Sequence, residues 1–534
     1  MHMFRHKSKQ ERSQEEFKNS FEVELQDNNR WIKLAELLPW DEFAEIYRGS
    51  FHVRFGAPSV DARIVIGALI IKHKLKLDDR GTIEMIRENP YMQYFLGLSA
   101  FRSKAVFDPS LFVMIRKRLG AEAFDEMTDE LMKTASALEK ESRKKQGSKE
   151  DPGVDEDSLS PRSEEPTGAE EQSDGEAEVP PTHKGILKID ATVCDQYIKY
   201  PTDLDLTARA RLESERLIDI LCKLLKVKVK PRTYREKARW RYLLAAKNKK
   251  LSRRKRYTAI GQQLRYLRRN LGHLDGLLDR FERMPFGKRD EKIFDVIQQL
   301  YVQQEEMWRK KVHRCDHRIV SIYQPHVRPI VRGKAGKNVE FGTKISISLV
   351  DRLTRIDRLS WEAFNESQIL EQQIDAYRAE HAYWPEKVAV DHIYGTRENR
   401  RSCKQRGIEL QVKPLGRPVA EAPGSGKLKK KDHIHRNDLE GKFGEGKNGF
   451  NLNKIRATLQ ETSESWIAAI FFVMNINELV RRAGVFALLL ITAWRLVFQF
   501  YRPMVKHYAN AMADIIHNWI GFSHVKVEVV KISP

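Results

Sequence analysis

Arg436, Glu440 and Lys447 stand at helical spacing, Arg436 one turn before Glu440 and Lys447 two turns after it, so one carboxylate is flanked by two cations on a single face. Upstream, Asp190 and Asp391 each sit in or just after a strand-like run. A hard divalent cation takes oxygen ligands, and the phosphodiester it acts on needs positive groups beside it. Three carboxylates with two cations in attendance therefore suit a metal-dependent site that cuts a nucleic-acid backbone. Other acids compete for the ligand roles. Asp438 and Glu445 lie two and five residues from Glu440, which turns them off its face, and solvated positions are expected for both. Asp195 follows the first strand, while Asp203 and Asp205 follow Pro201 in a turn, where capping is the ordinary use.

Position depends on the elements around these residues. Gly185-Ile-Leu-Lys-Ile-Asp190-Ala-Thr-Val predicts a strand that carries Asp190. Further strands are expected at Arg318–Tyr323 and at Lys344–Val350, then a helix from about Ser367 to Ala379. Glu386-Lys-Val-Ala-Val-Asp391 has the short apolar run of a buried strand, and Gly395-Thr396 starts the next helix, so Asp391 falls at a strand's C-terminal edge. Ligands gather at that edge in open α/β sheets. Ile408, Leu410 and Val412 mark one more strand before the helix of Glu440. Beyond it, Trp466 to Met474 predicts a helix packed on the sheet.

The rest of the chain divides by composition. Residues 1–35 form a polar tail without the apolar stretch of a secretory signal. Residues 36–138 read as a helical domain: Ile64, Ala68 and Ile71 recur at core spacing, and Asp78-Asp79 offers N-caps for a second helix that stops ahead of Pro90. A helix-turn-helix set against DNA and a plain helical bundle both fit, and either suits a DNA-end-binding or dimerising module. Residues 139–183 form a disordered linker whose stretch Glu150–Glu178 has twelve acids and one base, Arg162. It reads as a solvated tether or as an internal mimic of DNA. Residues 184–480 hold the strands, interrupted by a basic helical insertion at 207–316, and 481–534 form an apolar helix and tail suited to core packing or oligomerisation.

Charge narrows the partner. Of 534 residues, 95 are Lys or Arg and 74 Asp or Glu, a net +21, which predicts a polyanion and above all nucleic acid. From Arg232 to Arg269 fifteen bases face one acid, Glu236, with Tyr234, Trp240, Tyr242, Tyr257 and Tyr266 interleaved. Bases meeting phosphates release counterions and aromatic rings stack on exposed bases, so this run, with Arg253, Arg254, Lys255 and Arg256 at its centre, is the expected DNA-backbone surface. Cys194, Cys222, Cys315 and Cys403 are far apart, which suggests neither a disulfide framework nor structural zinc and fits a reducing cytoplasm. His313-Arg-Cys315-Asp-His317 has no zinc spacing and reads as a solvated turn. The apolar run 484–494 is too short to span a bilayer, which takes about 20 residues.

These residues resemble the DDE transposases of bacterial insertion sequences, and among them the insertion sequence five group. That group ends its site in tyrosine, two residues, arginine, three residues, glutamate, six residues, lysine; Arg436, Glu440 and Lys447 match, and His433 replaces the tyrosine while keeping a ring with a hydrogen-bonding tip. KIDATVCDQYIKYPTDLDL and VAVDHIYGTREN correspond to the segments of the two aspartates, and VDARIVIGALIIKHKL with TIEMIRENPYMQYFLGL resembles the group's first domain. The resemblance runs from about residue 36 to residue 480 outside the acidic linker. It implies an α/β (α+β) fold: a ribonuclease-H-like mixed sheet with flanking helices, the basic insertion and an all-helical N-terminal domain. It also implies that Asp190, Asp391 and Glu440 hold two Mg²⁺ ions, with Mn²⁺ able to substitute, and that Arg436, Lys447 and His433 serve the DNA.

On this reading the chain binds the terminal inverted repeats of a mobile element, cleaves there with water to free a 3′-hydroxyl, and joins that end to target DNA. Two metals roughly 4 Å apart suit both steps, with no covalent protein intermediate. The partners implied are double-stranded DNA, both element ends and target, and further copies of the chain, a homodimer or larger, when two ends are joined. No membrane partner is expected, and the bacterial cytoplasm, in association with the nucleoid, is the expected place. A ribonuclease-H-like nuclease and a DNA-binding protein of transposase origin without catalysis are the rival readings; retention of all three acids speaks against the second.

Overall fold

The computed structural model describes residues 25–51, 59–147, 182–248, 250–334, 337–415 and 437–482. Arg436, His433, the tail to residue 24, the acidic stretch Glu150–Glu178 and the apolar run 484–494 lie outside the described residues. By contact the chain divides into two compact units, Met1–Met132 with Leu159–Asn475 and Lys133–Ser158 with Ile476–Pro534. In the second, Glu478 takes ion pairs from Arg481 at 2.6 Å and Arg482 at 3.6 Å. The first contains the sheet and all the site residues discussed here.

Seven helices open the described chain: α1 (Arg30–Leu37), α2 (Trp40–Gly49), α3 (Ala62–Lys74), α4 (Asp79–Glu88), α5 (Pro90–Phe95), α6 (Leu111–Arg118) and α7 (Ala121–Gly147). Their starts follow capping chemistry. Asp61 accepts from Arg63 N, Asp78 from Gly81 N and Asn89 from Met92 N, each leaving one fewer unpaired amide at a helix start. Pro90 does not merely stop α4; it opens α5, where its fixed φ and missing N–H cost nothing. The sequence ARIVIGALIIKHK is apolar nearly all round, and α3 is accordingly buried on almost every side. Gly67 lets a neighbour close on it, since a Cβ there would lie 2.5 Å from Leu96 Cδ2.

The sheet holds β1 (Ile186–Asp195), β2 (Arg328–Lys334), β3 (Lys337–Val350), β4 (Leu353–Ser360), β5 (Lys387–Val390) and β6 (Glu409–Gln411). Its order is β2-β3-β1-β5-β6 with β4 also on β3. β1 and β3 are antiparallel, as are β3 and β4, whereas β1, β5 and β6 run parallel. Alternation along β1 sends Leu187 and Ile189 into a core with Leu370, Ile374 and Tyr377 of α12 (Leu370–His381). Lys188 and Asp190 therefore belong to the opposite face. A helix over 460–482, α15, covers that second face: its Asn475 accepts from Thr354 N and donates to Thr354 O, both on β4. On its far side the N-terminal helices pack, with Phe43 and Phe124 5.4 and 5.7 Å from Phe472.

Between β1 and β2 come α8 (Asp203–Leu224), α9 (Arg235–Lys247), α10 (Arg253–Leu278) and α11 (Lys288–Lys310), built around Leu217, Leu221, Leu267, Leu274 and Ile297. One expectation fails in this region. Arg318–Tyr323 is an extended segment rather than a strand: Ile319, Val320 and Ile322 fill the core, and Ile319 N donates to a side chain, Gln303 Oε1, instead of a ladder. β4 was not foreseen, because its alternation is broken by a register shift opposite Ser346/Ile347 and by Asp357 facing inward.

Candidate functional site

β1 and β5 bring the two aspartates together. Ile189 is aligned with Val390 in the parallel pair, so Asp190 and Asp391 follow at the same level on neighbouring strands and on the same face. Adjacent strands lie about 4.8 Å apart, within reach of one shared ion. The Asp190 carboxylate accepts from Ala191 N at 2.7 Å. Asp391, just past the strand, caps a single 3₁₀ turn and accepts from His392 N at 2.7 Å and lies 3.0 Å from His392 Nδ1. Behind them Tyr394 is buried, which pushes its phenol well above the ordinary range, with the carboxylates of Glu366 and Asp190 adding to the effect.

Glu440 sits exposed on a helix over 437–444, α14, whose Leu439, Lys442 and Phe443 are buried. Lys188 donates to Asp438 Oδ2 on this helix. Asp438 is thus bound to the strand of Asp190, contrary to the solvated position expected for it. Glu445 likewise is taken by Lys442, at 3.0 Å.

Lys447 corrects the spacing argument. The chain leaves α14 through a π-helical turn, Glu445–Gly449, so regular α-helical angles no longer relate Lys447 to Glu440. Gly446 packs closely in the turn, where a Cβ would meet Leu452 Cδ2 at 3.1 Å, and its carbonyl accepts from both Phe450 N and Leu452 N. The turn is held from outside by Lys76, whose ammonium donates to Asn448 O at 2.9 Å. Past it, Ile455 N donates to Asp195 O and Ile455 O accepts from Tyr197 N, at 3.0 and 2.8 Å, so the chain returns to the end of β1.

Asp203 and Asp205 have structural partners. Thr202, not either aspartate, caps α8. Asp203 takes Arg318 at 2.7 Å, and Asp205 accepts from Tyr242 Oη and pairs with Lys199 at 2.9 Å. His313 and His317 are spoken for by Asp203 and Glu362, at 3.6 and 3.0 Å. Among the described residues no three His, Cys, Asp or Glu are grouped so as to hold a metal ion. The donor chemistry of Asp190 and Asp391, hard carboxylate oxygens at one level, fits a divalent cation, and Glu440 is the carboxylate on the helix moored beside them.

Arg253, Arg254, Lys255 and Arg256 are all exposed in the first turn of α10, capped by Ser252. Four cations at the positive end of a helix are unfavourable by themselves, and an anion relieves them. Three of them line an open cleft of about 1000 Å³ with Lys311, and Tyr257 and Trp308 stack on its wall at 4.9 Å and 11°.

The mixed α/β fold, with Asp190 and Asp391 level on parallel strands and Glu440 on an adjoining helix, is consistent with a transposase catalytic domain. The comparisons agree. Residues 388–477 match the family described as "Transposase DDE domain", and residues 19–118 match "Transposase domain (DUF772)". By these two matches the chain is similar to the DDE transposases. Its DDE match contains Asp391, Glu440 and Lys447, whereas Asp190 falls outside both matches. The chain is also similar to an uncharacterised protein, ORF8 in the nfe locus of Rhizobium meliloti, 31% identical over 111 residues, which make up 21% of this chain and 53% of that one. It thus spans about half the length of that relative. No solved structure matches it. DDE transposases use divalent metal ions, and no helix among the described residues is long and apolar enough to cross a membrane.

Proposed function

We propose that this chain is the transposase of an insertion sequence of the insertion sequence five group, which binds the element's terminal inverted repeats, cleaves there and transfers the strand to target DNA. The observation that carries the reading is the level placement of Asp190 and Asp391 on neighbouring parallel strands, with the helix of Glu440 tied to the first of them. The order of β4, β3, β1, β5 and β6, three antiparallel strands followed by two parallel ones, supports a ribonuclease-H-like core. Asp190, Asp391 and Glu440 would hold two Mg²⁺ ions, or Mn²⁺ in their place, which when bound polarise the scissile phosphate and lower the pKa of water. Lys447, with Arg436 and His433, would sit on phosphate or terminal bases beside that centre.

The basic helices supply the backbone surface: Arg253, Arg254, Lys255 and Arg256 meet phosphates, and the N-terminal helices serve end binding or dimerisation. Double-stranded DNA is the partner, a homodimer or larger the working state, and the bacterial cytoplasm, with the nucleoid, the place of action. A strand-transfer reaction tests this directly. Labelled duplexes carrying the element's end with a free 3′-hydroxyl are incubated with a supercoiled target plasmid in Mg²⁺ or EDTA. Metal-dependent appearance of label in the plasmid is expected, and nicking without joining would make the protein a nuclease instead.

A further inference from the structure

The carboxylate of Glu440 is on a helix and that of Asp190 on a strand, and something must set the distance between them. Lys188 is two residues before Asp190, so the pleat puts both side chains on one face of β1. Its ammonium reaches Asp438, two residues before Glu440. The pair is partly sheltered, Lys188 16% and Asp438 40% exposed. Two other contacts hold the far end of this segment, Lys76 on Asn448 O and Ile455 on the end of β1. Of these ties, the pair alone joins α14 itself to the strand of Asp190.

We infer that Lys188 and Asp438 form a positioning pair that sets where the helix of Glu440 stands relative to the strand of Asp190. Neither residue touches the reacting atoms; the pair acts through the helix it anchors. The inference rests on the assignment of the three carboxylates given above. Because misplacement of a reacting group by about 1 Å costs on the order of 10²-fold, loosening this anchor by a fraction of that is expected to cost about tenfold in rate.

The test uses the full chain with Lys188→Met, Asp438→Asn and the reversed pair Lys188→Asp/Asp438→Lys, beside Glu440→Gln. Four quantities are read: DNA affinity, single-turnover cleavage of an end duplex at saturating DNA, and, without DNA, Mn²⁺ binding by electron paramagnetic resonance and hydrogen exchange of the 437–444 amides. Each single variant should cleave about tenfold more slowly, bind DNA within about twofold of wild type, bind Mn²⁺ more weakly and exchange faster over 437–444, and the reversed pair should recover most of each loss. Single variants that bind Mn²⁺ and cleave like wild type overturn the inference, as does a reversed pair no better than the singles. A loss confined to DNA affinity for Lys188→Met, with Asp438→Asn unaffected, overturns it too and makes Lys188 a phosphate ligand. Failure of the underlying assignment looks different: Glu440→Gln would then bind Mn²⁺ and cleave as wild type does, whatever the pair variants do.

Discussion

Asp79 stands between two buried cations. Lys72, with no exposed surface, lies 2.8 Å from one carboxylate oxygen, and Arg116 makes paired hydrogen bonds of 2.9 Å to both. The ring of Trp466 lies 4.3 Å from the ammonium and 5.2 Å from the guanidinium, so this cluster fastens α3, α4 and α6 to α15. Asp79→Ala leaves two cations inside without the carboxylate that both of them contact. Removing one partner of a fully buried pair costs about 3–5 kcal/mol, and because Asp79 keeps 28% of its side-chain surface exposed the cost here falls somewhat lower. A net loss of about 2–4 kcal/mol, at roughly 2 °C per kcal/mol for a large chain, lowers the unfolding midpoint by about 4–8 °C. Thermal unfolding of wild type, Asp79→Ala and the surface control Glu36→Ala measures it. Burial alone would raise the Asp79 pKa, but Arg116 and Lys72 outweigh it and hold the carboxyl below the ordinary range. Its contribution is therefore present above the unfolded pKa and fades as pH falls through the lower folded value, so the two curves should converge only in acid, below about pH 4. A variant within 1 °C of wild type at pH 7, or a gap that closes near neutrality, would refute the reasoning.

Three further outcomes follow from other parts of the molecule. Replacing Arg253, Arg254, Lys255 and Arg256 together by Ala should weaken DNA binding evenly across sequences and flatten the plot of log affinity against log salt by about 3–4 units; an unchanged slope removes this surface from the interface. Gly261→Ala puts a methyl 2.6 Å from Trp308 Cζ2 and should cost about 1–3 kcal/mol in denaturant unfolding, with no loss if the indole can swing away. Burial lifts Asp125 to about 7, with Asp129 and Asp357 adding and Arg355 opposing, and burial lifts Asp357 to about 6. A folded pKa above the unfolded one gives stability that is full below about pH 4 and lost as pH rises towards 7, so Asp125→Asn should flatten that decline; an equally steep decline in the variant would show that another group drives it.

The chemistry-bearing strands were readable because their signals are local. Ile186 to Val193 and Lys387 to Val390 are β-prone runs bounded by turn-formers, and Thr396 and Asp78 are side-chain caps that need no tertiary partner. What stayed hidden depends on contacts distant in sequence. Lys188 and Asp438 are 250 residues apart, and Lys76 and Asn448 are 372 apart. Helical periodicity misled at Lys447, since a π turn after an α-helix leaves no mark on an apolar pattern beyond Gly446 and Gly449. At 318–323 the same β-branched residues that favour strands were used to fill a core, a choice that burial decides and local propensity does not. The alternation of β1 nevertheless held a usable clue: a lysine two residues from the proposed ligand Asp190, on the same face, marks a place to look for an anchoring acid.

The most direct test of the account is metal-dependent nicking of a duplex that carries the element's own end, compared across wild type, Asp190→Asn, Asp391→Asn and Glu440→Gln, with binding measured on the same samples. Wild-type protein in Mg²⁺ should nick at the element boundary and leave a 3′-hydroxyl, and each variant should bind the duplex within about twofold of wild type while cutting at least about 10²-fold more slowly. Cleavage that survives any one of the three substitutions would contradict the assignment of that carboxylate to the site.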